Sequence, residues 1–110
     1  MYVIEEPKDF AFIKVGIKGK RFIQTLSKNS GFALIETATG HETTIIEKEC
    51  DFMYYVLEGS GYFEINGVKE NFLKGNLVIV PMGSKFTYKG KAKMLLVTSP
   101  PFRPEQEETL

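Results

Sequence analysis

The chain is poor in the side chains that most often carry protein chemistry. Its 110 residues include one cysteine (Cys50), one histidine (His41) and no tryptophan. One cysteine excludes an internal disulfide and a cysteine-rich zinc site. One histidine leaves His-rich metal sites and histidine dyads with at most one candidate per chain. Net charge is absent as well, since 14 basic residues balance 14 acidic ones. Counterion release on nucleic acid needs a surplus of clustered Lys and Arg, so no nucleic-acid partner is expected. No apolar run approaches the roughly 20 residues that span a bilayer. The opening Met1-Tyr2-Val3-Ile4-Glu5-Glu6-Pro7 has neither the basic nor the apolar region of a signal peptide. The expectation is a cytoplasmic protein with no membrane partner.

Helix signals are missing too: no long segment keeps a 3.6-residue apolar period with caps. What is present is strand-like. Hydrophobic residues make up 43% and charged residues 25%, near the globular average, and the length suits one domain over residues 1–110. Runs rich in β-branched and aromatic residues cover 10–15, 21–26, 32–38, 43–47, 52–57, 62–65, 71–73, 77–80, 85–88 and 94–98. Asn29-Ser30-Gly31, Thr39-Gly40, Lys74-Gly75, Met82-Gly83 and Lys89-Gly90 punctuate them. Asn66-Gly67 between two such runs is the strongest local hairpin signal, because a type I′ turn needs positive φ at both central residues. Turn signals about every 8–12 residues predict an all-β sandwich or barrel. The prolines of Ser99-Pro100-Pro101-Phe102-Arg103-Pro104 lack ladder donors, so about 99–110 is read as an extended tail. Phe102 is the residue that can pin it to the body or to a partner subunit; a frayed terminus is the alternative.

Residues 40–90 resemble the two-motif pattern of the cupin superfamily of RmlC-like proteins. The first motif, Gly-x5-His-x-His-x3-Glu-x6-Gly, is matched by Gly40, Ile46, Lys48, Phe52 and Gly59. Its centre reads Tyr54-Tyr55-Val56-Leu57-Glu58-Gly59-Ser60-Gly61. The second, Gly-x5-Pro-x-Gly-x2-His-x3-Asn, is matched by Gly75, Pro81, Gly83, Phe86 and Gly90. The glycine and proline frame is complete. The resemblance implies a jelly-roll barrel, also called a double-stranded β-helix, and a homodimer. The four positions that hold a metal in metal-binding cupins carry Ile46, Lys48, Phe52 and Phe86. Ile and Phe have no donor atom, and a lysine ammonium repels a cation. No metal and no cofactor is therefore expected. Glu47, Glu49, Cys50 and His41 lie nearby, but if 46 and 48 point inward, 47 and 49 point outward.

On the same parity Ile46, Lys48, Phe52, Tyr54, Phe86 and Tyr88 line one barrel face and are the candidate ligand-binding residues. Ile46, Phe52 and Phe86 could equally plug the barrel, and the tyrosines could be core aromatics. Lys48 is either an anion or carbonyl anchor or a side chain that snorkels to the barrel mouth. His41, on a strand edge, reads as an ordinary surface residue or, less simply, a base acting across a dimer interface; Cys50 reads as structural. Three functions follow. The first is a metal-independent module binding a small organic molecule such as a sugar or an acid. The second is a metal-free isomerase- or epimerase-type enzyme that abstracts a proton beside a carbonyl. The third is a plugged barrel acting as a structural or interaction protein.

Overall fold

The computed structural model describes residues 2–103 and 107–109. Among them the strands are β1 (Phe12–Lys14), β2 (Ile17–Phe22), β3 (Gly31–Thr37), β4 (Ile45–Glu47), β5 (Asp51–Ile65), β6 (Val68–Leu73), β7 (Leu77–Val80), β8 (Lys85–Ser99) and β9 (Glu107–Thr109). Every pairing between them is antiparallel. No helix is present among the described residues, so none is long and apolar enough to cross a membrane. The expected turn at Asn66-Gly67 closes β5 onto β6, with φ of 50° and 82° at the two residues.

β8 is the spine. One of its edges pairs with β5 from Asp51↔Ser99 to Ile65↔Phe86. Its other edge carries β4 at Lys85 and Phe86, then β3 from Ala92 to Thr98. β2 and β1 extend the sheet beyond β3, while β6 and β7 pair with opposite halves of β5.

Several elements differ from the sequence reading. The runs at 52–57 and 62–65 are one strand, as are those at 85–88 and 94–98. The glycines between them are not stops. They let β5 and β8 approach closely: a Cβ at Gly61 would collide with the carbonyl oxygen of Lys89, and one at Gly59 with that of Lys91. A register shift between Val56 and Glu58 adds the local bend. The run at 21–26 is replaced by the earlier β2, because the Gln24 side chain folds the next residues into a turn. It accepts from the Ser27 N–H at 2.7 Å and donates to the Ser27 carbonyl at 2.8 Å. The tail is not wholly outside the ladder, since β9 pairs with β4 from Ile45↔Thr109 to Glu47↔Glu107. Phe102 packs edge-on against Phe52 with centroids 5.7 Å apart, and its N–H donates to Thr98 Oγ1 at 3.1 Å. Residues 104–106 and 110 of the expected tail lie outside the described residues.

The inward positions of β5, β6 and β8 pack the barrel with rings. Phe63 lies 5.5 Å from Phe72, 4.9 Å from Tyr88 and 5.1 Å from Tyr54, centroid to centroid. Phe86 adds contacts to Phe52 and Tyr54. Phe63→Ala is expected to destabilise the protein by about 3–5 kcal/mol, the usual range for a buried phenylalanine. The exposed Ile13→Ala should change stability by less than about 0.5 kcal/mol. Urea unfolding checks both, and equal midpoints for the two variants would refute this account of the core.

Candidate functional site

The ring cluster does not fill the whole barrel. A cavity of about 200 Å³ remains, lined by Phe12, Phe32, Ile45, Phe52, Tyr54, Leu96 and Phe102, with His41 in its wall and Lys14 and Arg21 among its lining residues.

His41 is buried and firmly mounted. Its N–H donates to the Tyr88 carbonyl at 2.8 Å. Its carbonyl accepts from Lys89 Nζ at 2.7 Å and from Thr87 Oγ1 at 3.1 Å. The backbone of residue 41 is thus fixed to β8 on both sides of its Cα. The ring is oriented separately: Nδ1 lies 2.7 Å from the Thr43 carbonyl. A carbonyl can only accept, so this contact puts the proton on Nδ1 and the lone pair on Nε2. The Thr43 N–H and hydroxyl lie further from Nδ1, at 3.3 and 3.2 Å. Burial holds the imidazole below its ordinary pKa of 6.5; the Thr43 bond opposes this, and the nearby Lys89 and Lys14 add to it. Near neutral pH the side chain is therefore a neutral base.

Tyr88 adjoins it, and Tyr54 adjoins Tyr88. The Tyr88 ring sits edge-on to His41 with centroids 5.6 Å apart, and it is equally 5.6 Å from the Tyr54 ring. Tyr54 lines the cavity directly. The imidazole and the two phenol rings thus form one chain of contacts, and most of the remaining cavity lining is apolar.

No protein-family model matches the chain, and no curated protein matches it. Solved structures do. Streptomyces Pac13, described as a nucleoside dehydratase, superposes over 100% of this chain and 91% of its own at a TM-score of 0.91, with 22% identity. Variants of Pac13 with one histidine changed to glutamine, or one tyrosine changed to phenylalanine, were solved with uridine. KdgF from Halomonas matches 88% of this chain and 89% of its own at a TM-score of 0.71, with 17% identity. An RmlC-like cupin from Shewanella frigidimarina matches 88% of this chain and 86% of its own at 0.69, with 18% identity. The fold is that of the cupins.

Set on the cupin frame, the candidate residues separate into two groups. Phe52, Tyr54, Phe86 and Tyr88 are buried and inward, as expected from parity; Phe52 and Tyr54 reach the cavity, while Phe86 belongs to the ring cluster. Ile46 and Lys48 are not brought to it. On β4 the inward positions are Ile45 and Glu47, Ile46 is half-buried, and Lys48 is exposed beyond the strand's end. The reason is local. Glu47 Oε1 accepts the N–H groups of Glu49 and Cys50 at 2.9 and 3.0 Å, which turns the chain at 48–50 and needs that carboxylate inside. Parity therefore turns a carboxylate inward, and no group of three or more His, Cys, Asp or Glu stands together among the described residues. Burial, then the Glu47 carboxylate, pushes the Cys50 thiol up to about 11, away from any nucleophilic role near neutral pH. His41 is not a surface residue, and Phe12, Lys14 and Arg21 were not among the candidates from sequence. In sequence the two cations look like any solvated strand residue.

Because His41 is the sole histidine, its titration is directly readable. Its proton NMR midpoint is expected below 6.5. The unfolded chain takes up this proton first as pH falls, so the contribution to stability is full above about pH 6.5 and is lost below it, toward the folded-state midpoint. His41→Gln should flatten that limb of the stability profile. A midpoint at or above the ordinary value would overturn the assignment of a neutral, buried base.

Proposed function

We propose that the protein is a metal-independent, cytoplasmic acid–base enzyme that removes water from a nucleoside-like substrate, with His41 as base and Tyr54 and Tyr88 as hydroxyl donors. The observation that carries this reading is the His41 geometry: Nδ1 is tied to the Thr43 carbonyl, leaving a lone pair on Nε2 in the wall of a cavity shared with Tyr54. Two further facts support it. The overall likeness to Pac13 is high over both chains, and the residue types changed in the uridine-bound variants, one histidine and two tyrosines, are the types grouped here.

The chemistry follows from the strength of the groups. A buried imidazole with a lowered pKa is a weak base, so the C–H it attacks must be acidified by an adjacent carbonyl. His41 Nε2 takes that proton, the electron pair forms a C=C bond to the neighbouring carbon, and the hydroxyl on that carbon leaves as water after accepting a proton from a tyrosine. The proton held by His41 returns to the phenolate through the departing water. Uridine has no sugar carbonyl and serves in this reading as a site ligand. A metal-free binding module remains the second reading, favoured by the small cavity of about 200 Å³, below the usual ligand-site range.

Protein dialysed against a chelator is expected to bind uridine and to dehydrate nucleosides carrying a carbonyl on the sugar, read as loss of one water by mass spectrometry. His41→Gln should keep uridine affinity and slow turnover about 10²–10⁴-fold, the usual worth of a general base. Binding without turnover across such nucleosides would leave only the binding module. Metal-dependent activity would remove the metal-free assignment.

The homodimer is likewise a proposal. β7 pairs only with β5 among the described residues, and its outward Leu77 and Ile79 are 60% and 54% exposed. They lie beside Tyr55 and Met53 of β5, and those beside Leu95 and Val97 of β8. This apolar stripe next to an open edge suits a second copy. Sedimentation should show a dimer that Ile79→Lys converts to monomer; a monomeric wild type would refute it.

A further inference from the structure

β1 departs from the usual pattern of a half-buried strand, since Ile13 is turned to solvent, whereas β2 keeps Ile17 partly buried against the core. Their register opposes Phe12 to Gly19 and Lys14 to Ile17. Alternation puts Phe12, Lys14 and Arg21 on the face that lines the His41 cavity, while Ile13 points away and is 76% exposed. Stability alone would put Ile13 inside; Lys14 and Arg21 share the face of Phe12 and stand exposed at the rim. Departures from that rule collect at functional positions.

The two cations are braced by one ring. Lys14 Nζ lies 5.9 Å and Arg21 Cζ 5.2 Å from the Phe12 centroid, and the ring lies over Gly19, where a Cβ would clash with it. Among the described residues neither cation forms a salt bridge with a carboxylate. The residues lining this cavity include no Asp or Glu. The adjoining cleft of about 760 Å³ is different. It shares Lys14 but mixes Lys18, Lys91 and Lys93 with Glu36, Glu42 and Glu58, and Lys18 already faces Glu36 at 4.0 Å. The cavity that holds His41 is thus lined by cations with no carboxylate among them, whereas the cleft mixes both signs.

We infer that the substrate is anionic, and that Lys14 and Arg21 hold its phosphate or carboxylate at the cavity rim. An arginine fork matches either group in two-point geometry, and a lysine adds a point charge. The inference rests on the His41 cavity being the substrate site and deepens the proposed function by naming the substrate's charge. It also couples to the base, since an anion on Lys14 offsets one of the cations that disfavour protonated His41.

The test is calorimetric titration at low salt with paired probes: uridine against uridine 5′-monophosphate, glucose against glucuronate, and inorganic phosphate alone. The charged member of at least one pair is expected to bind roughly tenfold or more tightly, as charge-assisted hydrogen bonds allow. High salt, Lys14→Gln and Arg21→Gln should each remove most of that advantage, read as the ratio of charged to neutral affinity within each pair. Which pair shows the larger difference assigns the rim to phosphate or to carboxylate. Phosphate should also raise the His41 NMR midpoint, a readout that needs no variant to fold. Equal binding of charged and neutral partners, unmoved by either substitution, would overturn the inference and leave the nucleoside reading intact. Anion binding that depends on Lys14 and Arg21 without any uridine binding would keep the inference and remove the nucleoside. Binding by no anion would overturn it.

Discussion

The close antiparallel pairing of β5 with β8 is the constraint on which the rest of the structure depends. Both strands are 15 residues long, well beyond the usual strand, and they remain paired because Gly59, Gly61 and Gly90 let the backbones meet without side chains between them. At Gly90 the backbone also takes a φ of 128°, which an L side chain rarely adopts. From that pairing follow the ring cluster, packed on the inward positions of both strands, and the mounting of His41, whose backbone is tied to β8 at Thr87, Tyr88 and Lys89. The base is not set by a loop of its own. It is positioned by the sheet.

Core and site grade into each other. Tyr54 and Tyr88 belong to the aromatic packing; Tyr88 also stands beside the imidazole, and Tyr54 lines the same cavity as His41. Their rings are held by neighbours on several sides, so their hydroxyls are placed by the same contacts that stabilise the barrel. Such preorganisation lets few polar groups act in a small cavity. On the proposed reading, a chain with one histidine assembles an acid–base site in this way.

The parts of this arrangement that were legible in the sequence are those decided locally. Asn66-Gly67 specifies its turn, and the glycine and proline frame of the two motifs specifies the cupin fold. Gly59 and Gly61 were visible, but a glycine that ends a strand and one that lets two strands approach closely look alike in sequence. The parity of β4 was open for a related reason. Ile45 and Ile46 are adjacent and equally apolar, and the choice is made by the Glu47 carboxylate turning back on the Glu49 and Cys50 amides. His41 depends on partners more than 40 residues away in the chain, which spacing alone does not reveal. Lys14 and Arg21 are exposed cations at the margin of the sheet, which in sequence look like any solvated strand residue.

The division of labour between strands has an evolutionary consequence. The imidazole and the two phenols are carried by or tied to β5 and β8, at the centre of the sheet, where substitution disturbs the whole barrel. The rim residues Phe12, Lys14 and Arg21 sit on the β1–β2 hairpin at its margin, beyond β3. On the proposed reading, replacing them changes what enters without moving the groups that act on it. On that reading a lineage built on this barrel can diversify its substrates by exchanging one peripheral hairpin while its reaction chemistry is inherited intact.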